Sequence, residues 1–524
     1  MAKHKLMRGF DRGGKEGGGT GRYREVQGGR RIIKGLGRVR TLGLLGFSFI
    51  LSVLLVLGIN YPATATPRHY TELEFPTLPE VKLPDYISYK LPNGLLVYLV
   101  EDHEFPVING RALVKVGSRW EPANQVGLAS LTGTVMRTGG TQQRTGDELD
   151  QSLEQIAANI ELFISRDSGN AYFKSLTKDV DQVFGLFAET LTQPVFDQKK
   201  IEVAKIQVQG RIARRNDSPG RIAYREVNKL IYGADSPYAR STEYANLDAI
   251  DRDTMIKFYQ QYFHPNNMIL GISGDFDPQQ MQKLISEKLG SWQSNAQLEL
   301  PPLPKVDQAT TGGLFFIQQP QLTQSFVQLG HLGGMMKDAD YGTLDVINNL
   351  LNGFGGRLID ELRSRQGLAY SVYGFWSPNY DYPGVFMAGG QTKSETTVPL
   401  IKGILGEIDR LRTTPMNEAE LNLAKDATLN SFVFNFQTPG YTLSRLIDYA
   451  YYDYPQDFIF QYQRQVAATT IADVQRAAKT YLQPEKLVIL VVGNKAAIQP
   501  PLTTLNSEVK EINIAIPNAT IPAS

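Results

Sequence analysis

Side chains able to bind a metal or attack a bond are sparse in this sequence. There is no cysteine, which excludes a disulfide framework, a thiol nucleophile, a cysteine-based zinc site and a cysteine-ligated iron–sulfur cluster. A metal would need histidine and carboxylate, yet His4, His69, His103, His264 and His331 are so dispersed that no two share a helical turn. His103 and His264 flank loops or helix ends and suit structural or solvent-exposed roles. The stretch from Gly353 to Gly356 is glycine-rich but lacks the Lys-Ser/Thr of a phosphate loop, so it reads as a turn between helices. Tyr449, Tyr451, Tyr452 and Tyr454 cluster near a helix end, where they suit a packed domain interface better than a peptide contact. Arg363 and Arg365 fit a helix C-terminus, and Tyr370 fits a half-buried strand.

Such residues need elements to hold them, and at 524 residues with 42% hydrophobic content the chain is long enough for two or more packed cores. Leu96–Glu101 and 107–116 have strand composition, Thr145-Gly-Asp-Glu148 has the pattern of a capping box, and Asp277-Pro278 opens another helix. Residues 293–312, with Pro301, Pro302 and Pro304, read as a linker. A second series of elements then echoes the first. A helix starting near Asp253 ends at Tyr262-Phe-His-Pro265 before an apolar strand reaching Gly274; one starting near Thr470 ends at Tyr481-Leu-Gln-Pro484 before a strand reaching Gly493. The helices starting near Gly127 and Gly342 form a looser pair at almost the same offset. Both halves are expected to be α+β, each with an antiparallel-rich sheet and packed helices.

The first 40 residues hold 12 Lys/Arg against 3 Asp/Glu, whereas the remainder holds 42 against 50. An acidic body is a poor surface for nucleic acid, so no such partner is expected. Behind the basic tail, residues 42–59 form an uncharged apolar run close to the minimum for a bilayer span, followed by the small-x-small triplet Ala63-Thr-Ala65. The positive-inside rule places everything beyond this segment outside the cytoplasm, either released by signal cleavage or anchored through residues 42–59. The expected organisation is a basic glycine-rich tail (1–40), a signal peptide or anchor (41–66), an N-terminal domain (85–292), a linker (293–312), a C-terminal domain (313–500) and a tail (501–524).

Several short motifs in this order resemble the insulinase/pitrilysin metallopeptidase family, in its branch related to mitochondrial processing peptidase. They include Leu91-Pro-Asn-Gly94, Glu101-Asp-His103, Gly117-Ser-Arg-Trp-Glu121, Gly127-Leu-Ala129 and Tyr232-Gly233 with Pro237-Tyr238. Gly355-Gly-Arg-Leu358, Glu361-Leu-Arg363 and Gly367-Leu-Ala-Tyr-Ser371 follow in the second half. The resemblance implies a duplicated α+β fold and, in active members, a His-x-x-Glu-His zinc motif after the Gly-Leu-Ala element, with a carboxylate ligand further on. Here that window reads Ser130-Leu-Thr-Gly133-Thr134, and 203–216, where the carboxylate would lie, contains no acidic residue. No catalytic zinc is therefore expected in this chain.

The family also places an Arg and a Tyr seven residues apart to hold the substrate carbonyl and developing oxyanion, and Arg363 and Tyr370 match that pair. The resemblance thus implies the zinc-lacking subunit of a two-chain peptidase, inactive alone, with the zinc in a homologous partner chain and the peptide between the two. The alternatives are a non-proteolytic scaffold in a membrane-associated complex and a peptide-binding module acting alone.

Overall fold

The computed structural model describes residues 81–353 and 355–517; the tail and the signal or anchor segment inferred for residues 1–66 lie outside them. In the first half the order is β1 (Ile87–Lys90), β2 (Leu96–Glu101), β3 (Val107–Val114), α1 (Leu128–Thr138), α2 (Gly146–Glu154), β4 (Asn159–Ile164), β5 (Gly169–Leu176) and α3 (Val180–Thr192). Next come α4 (Gln198–Ala213), α5 (Pro219–Tyr232), α6 (Tyr244–Asp248), α7 (Arg252–Tyr262), β6 (Met268–Gly274) and α8 (Pro278–Leu289). The second half runs β7 (Leu314–Gln318), β8 (Gln324–Leu332), α9 (Tyr341–Asn352), a π-helical segment (Ile359–Arg365), β9 (Ser371–Ser377), β10 (Val385–Lys393) and α10 (Thr397–Thr413). It closes with α11 (Glu418–Ser431), α12 (Pro439–Tyr452), α13 (Phe458–Ala468), α14 (Ile471–Tyr481), β11 (Val488–Gly493) and β12 (Val509–Glu511).

Local chemistry accounts for the helix starts. Thr145 and Glu148 form the reciprocal capping box, Asp277 caps α8 with Pro278 at its first position, and Thr470 with Asp473 caps α14. The strand expected over 107–116 stops at Val114, because the chain turns there, with the Val116 amide donating back to Val114 O at 2.9 Å.

Each half builds a six-stranded sheet, ordered β1-β2-β6-β3-β5-β4 and β12-β7-β11-β8-β10-β9. Both sheets are mixed: β2 and β6 run parallel, as do β7 and β11, while β3 and β8 pair antiparallel with their neighbours. The halves differ at one edge, where β1 pairs antiparallel with β2 but β12, from the far end of the chain, pairs parallel with β7. The register confirms the duplication, since Ser273 faces Asn109 and Val492 faces Phe326 at equivalent positions.

One face of each sheet packs against its own helices around Phe184, Phe187 and Leu270 in the first half and Ile347, Ile404 and Val491 in the second. The other face is covered by a helix from the opposite half. Ile222, Val227 and Ile231 of α5 pack on Phe315, Met387 and Leu490, while Leu443, Ile447 and Tyr451 of α12 pack on Tyr98, Leu113 and Ile269. Close approach requires glycine beneath α12, because a Cβ on Gly271 would stand 2.1 Å from Ile447 Cδ1. Burying each such aliphatic side chain is worth about 1.5–3 kcal/mol, so the exchanged helices bind the two halves into one body.

Candidate functional site

Gly127 starts α1 in the left-handed region (φ 108°), where a non-glycine residue would be strained. The first amides of α1 are satisfied by Glu121, whose carboxylate accepts from Ala129 N at 2.5 Å and Gly127 N at 3.1 Å. Arg240 supports the same turn, donating to Ser118 O and Glu121 O with its guanidinium 3.9 Å from the Glu121 carboxylate. Burial pushes Glu121 up to about 7 against the pull of the two amides and Arg240. Neither Glu121 nor Arg240 stood out in the sequence as part of a site. Glu121 belonged to a recognised motif, but its partner lies 119 residues away.

The structure places Ser130 exposed on the first turn of α1, at a cleft of about 430 Å³ that Arg166, Tyr224, Arg240 and Thr242 also line. Thr134 turns its hydroxyl onto its own helix, donating to Ser130 O at 2.9 Å. Gly133 lies hard against β4: a Cβ there would stand 2.9 Å from Ile164 N and 3.2 Å from the Phe163 carbonyl carbon. The space for a glutamate side chain is therefore taken by strand backbone. The residues present do not fit zinc, since two hydroxyls and a glycine offer neither the ligands nor the base. Among the described residues, no group of three or more histidine, aspartate and glutamate side chains is placed to hold a metal ion.

Arg363 lies in the π-helical segment, anchored by buried Leu362, and Tyr370 immediately precedes β9, its amide donating to Gln391 O at 3.2 Å. Gly367, at φ 62°, makes the turn between them. That turn brings the Arg363 Cζ to 5.9 Å from the Tyr370 ring centre. Tyr370 is 79% exposed, and neither its hydroxyl nor the Arg363 guanidinium has a hydrogen-bond or ion-pair partner among the described residues. The structure thus joins Arg363 to Tyr370, and neither lines the cleft around Ser130.

The remaining candidates have structural partners. Tyr451 and Tyr452 donate to the Asp167 carbonyl and carboxylate, at 2.6 and 3.1 Å, and Tyr454 donates to Tyr380 O, so this cluster joins the two halves. His103 sits between Asp275 (2.6 Å) and Glu101 (2.7 Å), and these hydrogen bonds raise its pKa. His264 contacts Gln260 O, whereas His331 is buried and its pKa is lowered by desolvation.

Fold and site together define a duplicated α+β protein in which Ser130, Gly133 and Thr134 present no metal-ligating side chain. Two family descriptions match in tandem, "Insulinase (Peptidase family M16)" over residues 97–244 and "Peptidase M16 inactive domain" over residues 249–428. The chain belongs to the M16 (insulinase) peptidase family. An "Uncharacterized zinc protease" of Rickettsia felis is 23% identical over 343 residues, 64% of this chain and 80% of that protein. The "Non-peptidase homolog YmxG" of Helicobacter pylori is 24% identical over 404 residues, 75% of this chain and 91% of its own. A solved "peptidase M16 inactive domain" from Pseudomonas fluorescens superposes with a TM-score of 0.69 at 24% identity, covering 79% of this chain and 100% of that one.

Proposed function

We propose that this protein is the zinc-lacking subunit of a two-chain M16 peptidase related to mitochondrial processing peptidase. A homologous partner supplies the metal site, and this chain supplies Arg363 and Tyr370 to the peptide carbonyl and developing oxyanion. The carrying observation is the state of that pair, held 5.9 Å apart by a glycine turn yet left without a polar partner among the described residues. A guanidinium and a phenol so placed are preorganised donors for oxygen on another molecule. The chain acts outside the cytoplasm, exported through its apolar segment at residues 42–59 and either released or anchored there.

A non-proteolytic scaffold is the second reading, favoured by the blocked zinc position and by a relative named a non-peptidase homolog. Kinetics of the reconstituted pair separate the two. Tyr370→Phe should preserve assembly, checked by size, while lowering turnover of one peptide roughly 100- to 1,000-fold, the usual effect of losing a preorganised oxyanion donor. Equal turnover at equal assembly would leave the scaffold.

A further inference from the structure

The two halves share their register, so a position that differs in chemistry between them exposes what one half has acquired. At the end of the first sheet where β2 and β6 finish, a cavity of about 490 Å³ opens beneath the N-terminus of α12. Its floor is Asn109 and Ser273, paired across β3 and β6. The same pair in the second half is Phe326 and Val492, which pack into the apolar layer under α5, with Phe326 Cδ1 3.6 Å from where a Cβ on Gly220 would stand. Replacing phenylalanine and valine by asparagine and serine leaves the corresponding space open beneath α12.

The rim differs in the same sense. Asp102, Glu104 and Phe105 border the cavity, where the matching strand end of the second half carries Gln319, Gln321 and Leu322. The Asp102 carboxylate accepts only the Glu104 amide, at 3.1 Å, and neither carboxylate has a basic partner among the described residues. Phe105 and Tyr441, on either side, are each 61% exposed. Ser273 is only 4% exposed, yet its hydroxyl has no hydrogen-bond partner among the described residues, and a Cβ on Gly440 would stand 3.4 Å from it. The hydroxyl oxygen itself opens onto the cavity, so a polar group entering there meets a side chain that the fold fixes in place and leaves free to bond.

We propose that this cavity is a binding site for a basic peptide segment, separate from the Arg363–Tyr370 pair and from the cleft around Ser130. A lysine or arginine side chain lays its methylenes along the Phe105 and Tyr441 rings and presents its charge to Asp102 and Glu104. The peptide main chain meets the Ser273 hydroxyl and the Gly440 amide, which lies in the first turn of α12 beyond reach of any helix carbonyl. The site stands about 23 Å from the Ser130 end of the sheet, the length of β3.

The test uses the full chain and an end-blocked, fluorescein-labelled heptapeptide with two arginines among alanine and glycine, read by anisotropy. Binding should weaken with salt and fall roughly tenfold or more in Asp102→Asn/Glu104→Gln, which keeps the shape of the rim. Asn109→Phe/Ser273→Val, which installs the residues of the other half, should abolish binding. Arg363→Ala/Tyr370→Phe should leave it unchanged, so this site stands or falls independently of the peptidase reading. Equal binding of the same peptide with citrulline in place of arginine would overturn the proposal, as would undiminished affinity in Asp102→Asn/Glu104→Gln or no binding by the wild-type chain.

Discussion

Gly133→Ala puts the closure of the metal position to a test of sign. Alanine replacing glycine inside an exposed helix normally stabilises it by about 1 kcal/mol. Here the added Cβ would stand 2.9 Å from Ile164 N and 3.2 Å from the Phe163 carbonyl carbon. Both atoms belong to β4, which is paired with β5 along its whole length, so the strand cannot retreat without disturbing the sheet. Overpacking of this kind costs about 1–3 kcal/mol, which offsets the helix gain and leaves Gly133→Ala destabilised by about 0–2 kcal/mol. Urea denaturation followed by circular dichroism reads the change in midpoint. Ser130→His/Gly133→Glu/Thr134→His, which restores the family motif, should be less stable still and should carry no stoichiometric zinc by mass spectrometry, because no third ligand is present. A raised midpoint for Gly133→Ala, or one zinc per chain in the restored motif, would refute the reasoning.

Ile447→Ala should cost about 2–5 kcal/mol and, because α12 covers the sheet of the other half, both halves should unfold in one transition; two resolved transitions would contradict the exchange. Arg363→Ala and Tyr370→Phe should each leave stability within about 0.5 kcal/mol by the same denaturation, since both residues are exposed. Glu121 is a weaker acid folded than unfolded, so its contribution to stability should decline as pH rises from its ordinary 4.5 to about 7 and stay flat above. Glu121→Gln should abolish that decline, as denaturation midpoints across the range would report.

The duplication was legible because its markers are local. Tyr-x-x-Pro at a helix exit and glycine at a strand end are set by backbone geometry, and the structure puts Gly274 and Gly493 at the ends of equivalent strands. A further pair was available in Ser218-Pro-Gly220 and Thr438-Pro-Gly440, which open α5 and α12 at one offset. What no local pattern conveys is that these two helices trade places: an amphipathic helix announces an apolar face but not whose sheet it will cover. Glu121 was obscure for a related reason, since its work is done by amides of the following helix and an arginine far along the chain. The changed zinc motif was visible residue by residue, whereas the closure of the space at Gly133 required β4 to be placed against α1.

Under the proposed function, the positions without metal ligands and the Arg363–Tyr370 pair lie in different halves, and the exchanged helices explain how such a division can persist. Each sheet depends for its cover on the opposite half, so neither half can be lost or grossly remodelled without exposing the other's apolar face. Individual side chains at the Ser130 cleft are under no such constraint, because Ser130 is exposed and Thr134 satisfies its own helix. Packing therefore preserves the fold whatever side chains stand at that cleft. It does not by itself account for Tyr370, a large ring left 79% exposed with its hydroxyl unpaired among the described residues, which contributes little to that packing. A tyrosine that the fold does not need is better explained by a molecule that this chain meets.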